Sequence, residues 1–131
     1  MINGVQVIIL NNENKILIAK RAEYKKIAPN RWNFIGGHIE DGESPSEAAF
    51  REVKEEVNLN LNNLKKSDKF IAKWNNAEFI CHVFTSHIDK IEDFKLNKEH
   101  SEYRFIKLIE FKEYDIVGFN YEQVVNYLEN T

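Results

Sequence analysis

The segment from Ser44 to Asn58 constrains this chain most. Ser44 precedes Pro45, and Glu47 stands three residues after the serine. A serine N-cap bonds the backbone of the third helical residue, a glutamate there bonds back, and proline suits the first helical position. The pattern predicts a helix that begins at Pro45. Ala49, Val53 and Val57 recur every fourth residue and form one apolar stripe. Such a stripe needs another layer to lie on. Asn58 follows the stripe, and asparagine tolerates the left-handed conformation that stops a helix.

The same helix carries Glu52, Glu55 and Glu56 on one face. Like charges at this spacing repel by a few tenths of a kcal/mol each, so the isolated helix is worse off for them. A hard divalent cation offsets that cost, because Mg²⁺ takes carboxylate oxygens and keeps waters for substrate phosphates. The plain alternative is a solvated acidic face. Arg51 and Glu47 are one turn apart and are expected to help hold the charge pattern.

Around this helix the chain alternates strands and turns. Val5–Leu10 and Lys15–Lys20 read as two strands joined by an asparagine-rich turn at Asn11–Asn14. Trp32-Asn33-Phe34-Ile35 is a short apolar segment before Gly36-Gly37. Lys69–Trp74 and Glu78–His87 read as longer strands linked at Asn75-Asn76, and Tyr103–Leu108 as another. Asn120 caps a last helix with Val124, Val125 and Leu128 at helical spacing. The order predicts an α/β (α+β) domain in which helices cover a mixed or mostly antiparallel sheet.

Composition narrows the function classes. The 131 residues suit a single domain spanning 1–131, and 43% are hydrophobic, too many for a disordered chain. Cys81 is the sole cysteine, which excludes an internal disulfide framework and a multi-cysteine zinc site. A lone thiol suits a reducing cytoplasm. The net charge of −3 is unlike the basic footprint of a nucleic-acid binder, so no nucleic acid polymer is expected as partner. No apolar run approaches the roughly 20 residues of a membrane span. The alternation near the start reads as a strand rather than a signal peptide. The expectation is a cytoplasmic protein.

From Gly37 the residues run Gly37, five residues, Glu43, seven residues, Arg51-Glu52-Val53, one residue, Glu55-Glu56, one residue, Asn58-Leu59. This resembles the signature box of the Nudix (MutT-like) hydrolases, Gly-x5-Glu-x7-Arg-Glu-hydrophobic-x-Glu-Glu-x-Gly-hydrophobic. One position departs: Asn58 replaces glycine, a mild change at a left-handed helix stop. On composition alone such a match arises in on the order of one chain in 100,000. The resemblance covers roughly residues 4 to 128 and is dense in 32–59. Relatives often carry proline where Ile35 precedes the glycines.

The resemblance implies a Nudix fold, an α-β-α sandwich around a mixed β-sheet. It implies hydrolysis of a nucleoside diphosphate linked to another group, with Mg²⁺ or Mn²⁺ as cofactor and a small-molecule nucleotide as partner. By that analogy the Gly36 carbonyl and the carboxylates of Glu55 and Glu56 bind metal. Glu52 binds metal or acts as general base. Arg51 and Glu43 form a supporting pair. Relatives often supply one more glutamate near the last strand as ligand or base; Glu99 is favoured, with Glu102 next. Arg21, Gly37 and Asn120 are candidates for substrate contact, against plain surface charge for Arg21 and a simple capping role for Asn120. The chain is expected as a monomer or homodimer. A nucleoside triphosphate, canonical or oxidised, is the preferred substrate, ahead of nucleotide sugars, dinucleoside polyphosphates and pterin triphosphates. A non-catalytic nucleotide-binding Nudix domain is the competing reading, and the intact set Glu43, Glu52, Glu55 and Glu56 argues against it.

Overall fold

The computed structural model describes residues 2–74, 76–89, 91 and 93–130. The elements in order are β1 (Ile2–Leu10), β2 (Ile16–Arg21), β3 (Trp32–Asn33), β4 (Ile35–His38), α1 (Pro45–Val57), β5 (Lys65–Trp74), β6 (Ala77–His87), β7 (His100–Ile106), a 3₁₀ turn (Leu108–Glu113) and α2 (Tyr121–Glu129). The strands form one mixed sheet. Its main path is β3-β2-β1-β6-β5, with β4 on β1 and β7 on β2. The β1–β6 pairing is parallel and the other strand pairings are antiparallel.

Strand β1 explains the layers. Val5, Val7 and Ile9 pack with Ala49, Val53 and Val57 of α1. The alternate residues Ile8 and Leu10 pack with Phe34, Val83, Val124 and Tyr127 on the α2 side. Successive strand side chains point to opposite faces, so a strand apolar at nearly every position can be covered twice. β1 meets β2 only at Leu10↔Ile16 and pairs with β4 from Gly4 to Val7. The sheet therefore opens between β1 and β2. A cavity lies there, and β4 delivers the two glycines to its mouth.

Helix α1 has the predicted caps. Ser44 Oγ accepts from the Glu47 amide at 3.2 Å, and Glu47 Oε1 accepts from the Ser44 amide at 3.0 Å. Asn58 ends the helix at φ 60° and ψ 33°, the left-handed region. Its amide nitrogen Nδ2 also donates to the Asp93 carbonyl at 2.8 Å.

Several expected boundaries shift. β5 starts at Lys65 rather than Lys69, because the parallel β1–β6 pairing makes β6 a long template for it. The charged stretch Lys65–Lys69 hides this period in sequence. Trp32–Ile35 divides into two strands at Phe34, which turns into the α2-side core. β7 runs from His100 to Ile106, and the chain then tightens into the 3₁₀ turn that seats Phe111. In the Asn75-Asn76 link, Asn76 takes φ 65° and Asn75 lies outside the described residues.

The left-handed stop yields a test. Asn58→Ala is expected to lower unfolding free energy by about 1–2 kcal/mol, since Cβ crowding in that region is relieved by no local hydrogen bond. Asn58→Gly should fall clearly nearer the parent in chemical denaturation. Equal losses would show that the Asp93 contact dominates over backbone conformation.

Candidate active site

Arg51 is the hub of the site. Its Nε donates to Glu43 Oε2 at 2.7 Å and its Nη2 to Glu43 Oε1 at 2.9 Å, a two-pronged pair. Nη2 also donates to the His38 carbonyl at 2.9 Å. Nη1 donates to Glu52 Oε1 at 2.9 Å and to Glu55 Oε2 at 3.2 Å. One guanidinium thus ties the loop after β4 to α1 and orients two carboxylates. The fork geometry of arginine suits this and a lysine could not reproduce it. The expected Arg51–Glu47 pairing does not form; Glu47 is spent on the capping box, and Arg51 turns toward the loop. Hydrogen bonds from Arg51, and then from the Glu40 amide, hold the Glu43 carboxyl down at about 2.

Behind this hub two acids are pressed together. Glu56 is only 4% exposed, and its Oε2 accepts from the Gly36 amide at 3.1 Å. The Glu52 and Glu56 carboxyls are close enough to shift each other's ionisation. Burial is the largest cause raising both above the ordinary carboxylate range, and their mutual repulsion adds to it at Glu56. Glu99 adds further negative potential at Glu56.

The glycines make this crowding possible. A Cβ on Gly36 would overlap the Val5 carbonyl oxygen of β1. A Cβ on Gly37 would fall 2.5 Å from Glu52 Oε1. Gly36 therefore lets β4 pair closely with β1, and Gly37 leaves room for the Glu52 carboxyl.

The cavity has a volume of about 460 Å³. Arg21, Gly36, Gly37, Glu56 and Glu99 line it, all singled out from sequence. Glu102 instead pairs with Arg104 at 2.9 Å, which leaves Glu99 as the better placed acid. Glu55 is not among the lining residues; it is about half exposed, and Arg51 holds it. Asn120 is not among the lining residues. It caps α2, where its Oδ1 accepts from the Gln123 amide at 2.8 Å.

Other lining residues were not singled out for this role: Gln6, Asn33, Phe34, Phe79, Cys81 and His100. Oriented to satisfy its neighbours, the Asn33 amide nitrogen donates to the Ala19 carbonyl at 3.0 Å and to His100 Nε2 at 3.2 Å, and its oxygen accepts from Arg21 Nη1 at 3.2 Å. Burial pushes the His100 imidazole down to about 4, so it is neutral at pH 7. The β2–β7 register shifts between Lys20 and Arg21, which puts Arg21 opposite His100. Such a bulge re-aims side chains. It is invisible in sequence, and the only cue was that His100 follows Glu99. Burial pushes the Cys81 thiol up to about 12, so it is an inert wall.

Whether a divalent cation suits these residues can be asked of the donor set itself. Among the described residues no three His, Cys, Asp or Glu side chains stand close enough to form a ready cage. Arg51 Nη1 occupies the space between Glu52 and Glu55. Yet the buried Glu56 carboxyl and the half-buried Glu52 carboxyl repel each other, with Glu99 adding to the negative potential, and a cation would relieve that repulsion. Oxygen-only donors at a cavity mouth match a hard cation. By donor chemistry Glu52 and Glu56 fit such an ion, while Glu55 is exposed and held by Arg51.

A capped helix thus brings one buried and one half-buried glutamate beside a diglycine strand of a mixed sheet. The NUDIX domain model matches residues 2–127, and the chain belongs to that family. It is 37% identical over 71 residues to an RNA pyrophosphohydrolase of Pelagibacter ubique, a match covering 53% of this chain and 43% of that one. It is 36% identical over 74 residues to an m7GpppN-mRNA hydrolase of Xenopus laevis, covering 56% and 24%. The chain thus spans less than half the length of these curated relatives. A MutT protein of Methanosarcina mazei has the same fold, with a TM-score of 0.85 at 22% identity over 98% of this chain and 93% of that one. Among the described residues no helix is long and apolar enough to cross a membrane.

The two acid classes predict opposite pH effects in a chelator. Glu56 has a raised folded value, so its burden is absent below the ordinary carboxyl value and grows as pH rises above it. Glu56→Gln should therefore raise the thermal midpoint at pH 8, with the gap closing toward pH 4. Glu43 has a lowered folded value, so its stabilisation is present above the ordinary value and is lost as pH falls toward about 2. Glu43→Gln should lower the midpoint at pH 8. A pH-independent offset in either variant would contradict the assignment.

Proposed function

We propose that this chain is a metal-dependent nucleotide pyrophosphohydrolase, acting as one Nudix domain over residues 1–131. Its preferred substrate is a nucleoside triphosphate, canonical or oxidised, cleaved to monophosphate and pyrophosphate. The observation that carries the reading is the buried Glu56 carboxyl with Glu52, half-buried, beside it, next to Gly36-Gly37 at the cavity. A merely solvated acidic face would leave these carboxyls exposed and apart.

The roles follow from position. Glu52, Glu55, Glu56 and the Gly36 carbonyl would hold Mg²⁺ or Mn²⁺. When bound, such an ion neutralises phosphate charge and lowers the pKa of water. Glu52, oriented by its hydrogen bond from Arg51 and raised by its partial burial, is suited to accept a proton from a water beside it. Arg51 and Glu43 hold the loop and the helix in fixed relation. Glu99, on the cavity wall, serves as a further ligand or base. Arg21 supplies a guanidinium for phosphate oxygens. The apolar wall of Phe34 and Phe79, with Gln6 and Asn33 beside it, suits a planar base.

A panel of nucleoside triphosphates, a nucleotide sugar, a dinucleoside polyphosphate and a 5′-triphosphorylated RNA, with Mg²⁺, tests the reading by phosphate and pyrophosphate release. Glu52→Gln should cut kcat by roughly 10²–10⁴-fold with a smaller change in KM. Gly37→Ala should impair turnover as well, because its methyl displaces the Glu52 carboxyl. Tight nucleotide binding without turnover across the panel would overturn the enzyme reading in favour of a binding domain. In the parent, Mg²⁺ should raise the thermal midpoint, and Glu56→Gln should abolish most of that rise.

A further inference from the structure

We infer that the loop between β2 and β3 forms a second anion subsite, which holds phosphates beyond the scissile anhydride and favours nucleotides with three or more phosphates. This rests on the hydrolase reading and names the substrate class for the same site. A second cavity of about 390 Å³ is lined by Arg21, Tyr24, Lys25, Lys26 and Ile27. Arg21 and Ile27 line the main cavity too, so the two cavities adjoin at these residues.

The charge there is unusual for this chain. Three of the five lining residues are cations, in a protein of net charge −3. Lys25 Nζ stands 4.0 Å from Glu99 Oε1 and is partly offset. Among the described residues, Arg21 and Lys26 have no carboxylate partner. Uncompensated cations grouped beside a cleft concentrate anions there.

The loop is also held in place. Tyr24 Oη donates to the Lys98 carbonyl at 2.6 Å, and the Ala22 amide donates to the Glu99 carbonyl at 2.9 Å. Arg21 Nε donates to the Ile27 carbonyl at 2.9 Å, closing the loop on itself. The cations thus project from a backbone tied to the segment that carries Glu99. Phosphate oxygens gain charge-assisted hydrogen bonds from them, whereas a neutral sugar in the same place would not. A phosphate chain extended past the metal-side acids would meet Arg21 and then the two lysines.

Calorimetry decides this. Dissociation constants are measured for ADP, ATP, adenosine 5′-tetraphosphate and ADP-ribose in Mg²⁺, on a Glu52→Gln background that slows turnover, with and without Lys25→Gln and Lys26→Gln together. The background protein should bind the tetraphosphate about tenfold or more tightly than ADP, as expected for two added charge-assisted contacts. The double change should erase most of that ratio, and Lys26→Glu should act in the same direction. The ratio between ligands in one protein is the readout, so a general folding defect does not mimic it. An equal ratio with and without the lysines, or ADP-ribose losing as much affinity as the tetraphosphate, overturns the subsite. A lysine-dependent ratio in a parent protein that hydrolyses no nucleotide would instead leave the subsite standing and remove the hydrolase reading.

Discussion

The site depends on keeping two carboxyls together, Glu56 buried and Glu52 half-buried. Ionising both there is costly, since burial opposes it at each and the Glu52 charge adds to it at Glu56. The fold holds them by three devices. The apolar stripe of α1 is sunk against β1, so Glu56 cannot swing free. Gly36 permits β4 to lie close to β1, and its amide donates to Glu56. Arg51 grips Glu52 from outside while anchored to Glu43 and His38. Removing any one device relaxes the pair.

Seen this way, the helix caps are part of the site. The Ser44–Glu47 box fixes where α1 begins, and Asn58 fixes where it stops. Between them the phase of the helix is set, so Val53 and Val57 face the sheet while Glu52 and Glu56 flank that stripe. A one-residue slip would carry the glutamates to solvent. The stability of the helix and the placement of the acids are the same problem.

Much of this was legible in the residue order because it is local. The capping box, the stripe, the acid spacing and the left-handed stop all lie within fifteen residues, where helical geometry converts spacing directly into position. The Arg51 partners were half legible: Glu43 came from the motif, whereas the Arg51–Glu47 expectation failed because the cap had already claimed Glu47. The cavity wall was least legible. Gln6, Asn33, Phe79 and His100 come from four different strands, and strand register with a bulge at Lys20/Arg21 decides that they meet. Asn120 shows the reverse: a polar residue at a plausible distance in sequence is consumed by its own helix. The early start of β5 was hidden because lysines mask its alternation.

The most direct test of the central claim is the proton count on cation binding, read by calorimetry of Mg²⁺ binding at pH 7 in buffers of different ionisation enthalpy. If Glu52 and Glu56 share a proton in the metal-free protein, binding should expel about one proton per chain, because ligating carboxylates must be deprotonated. Glu56→Gln should release none. Mg²⁺ binding to the parent with no proton released, or with the same release in Glu56→Gln, would contradict the account.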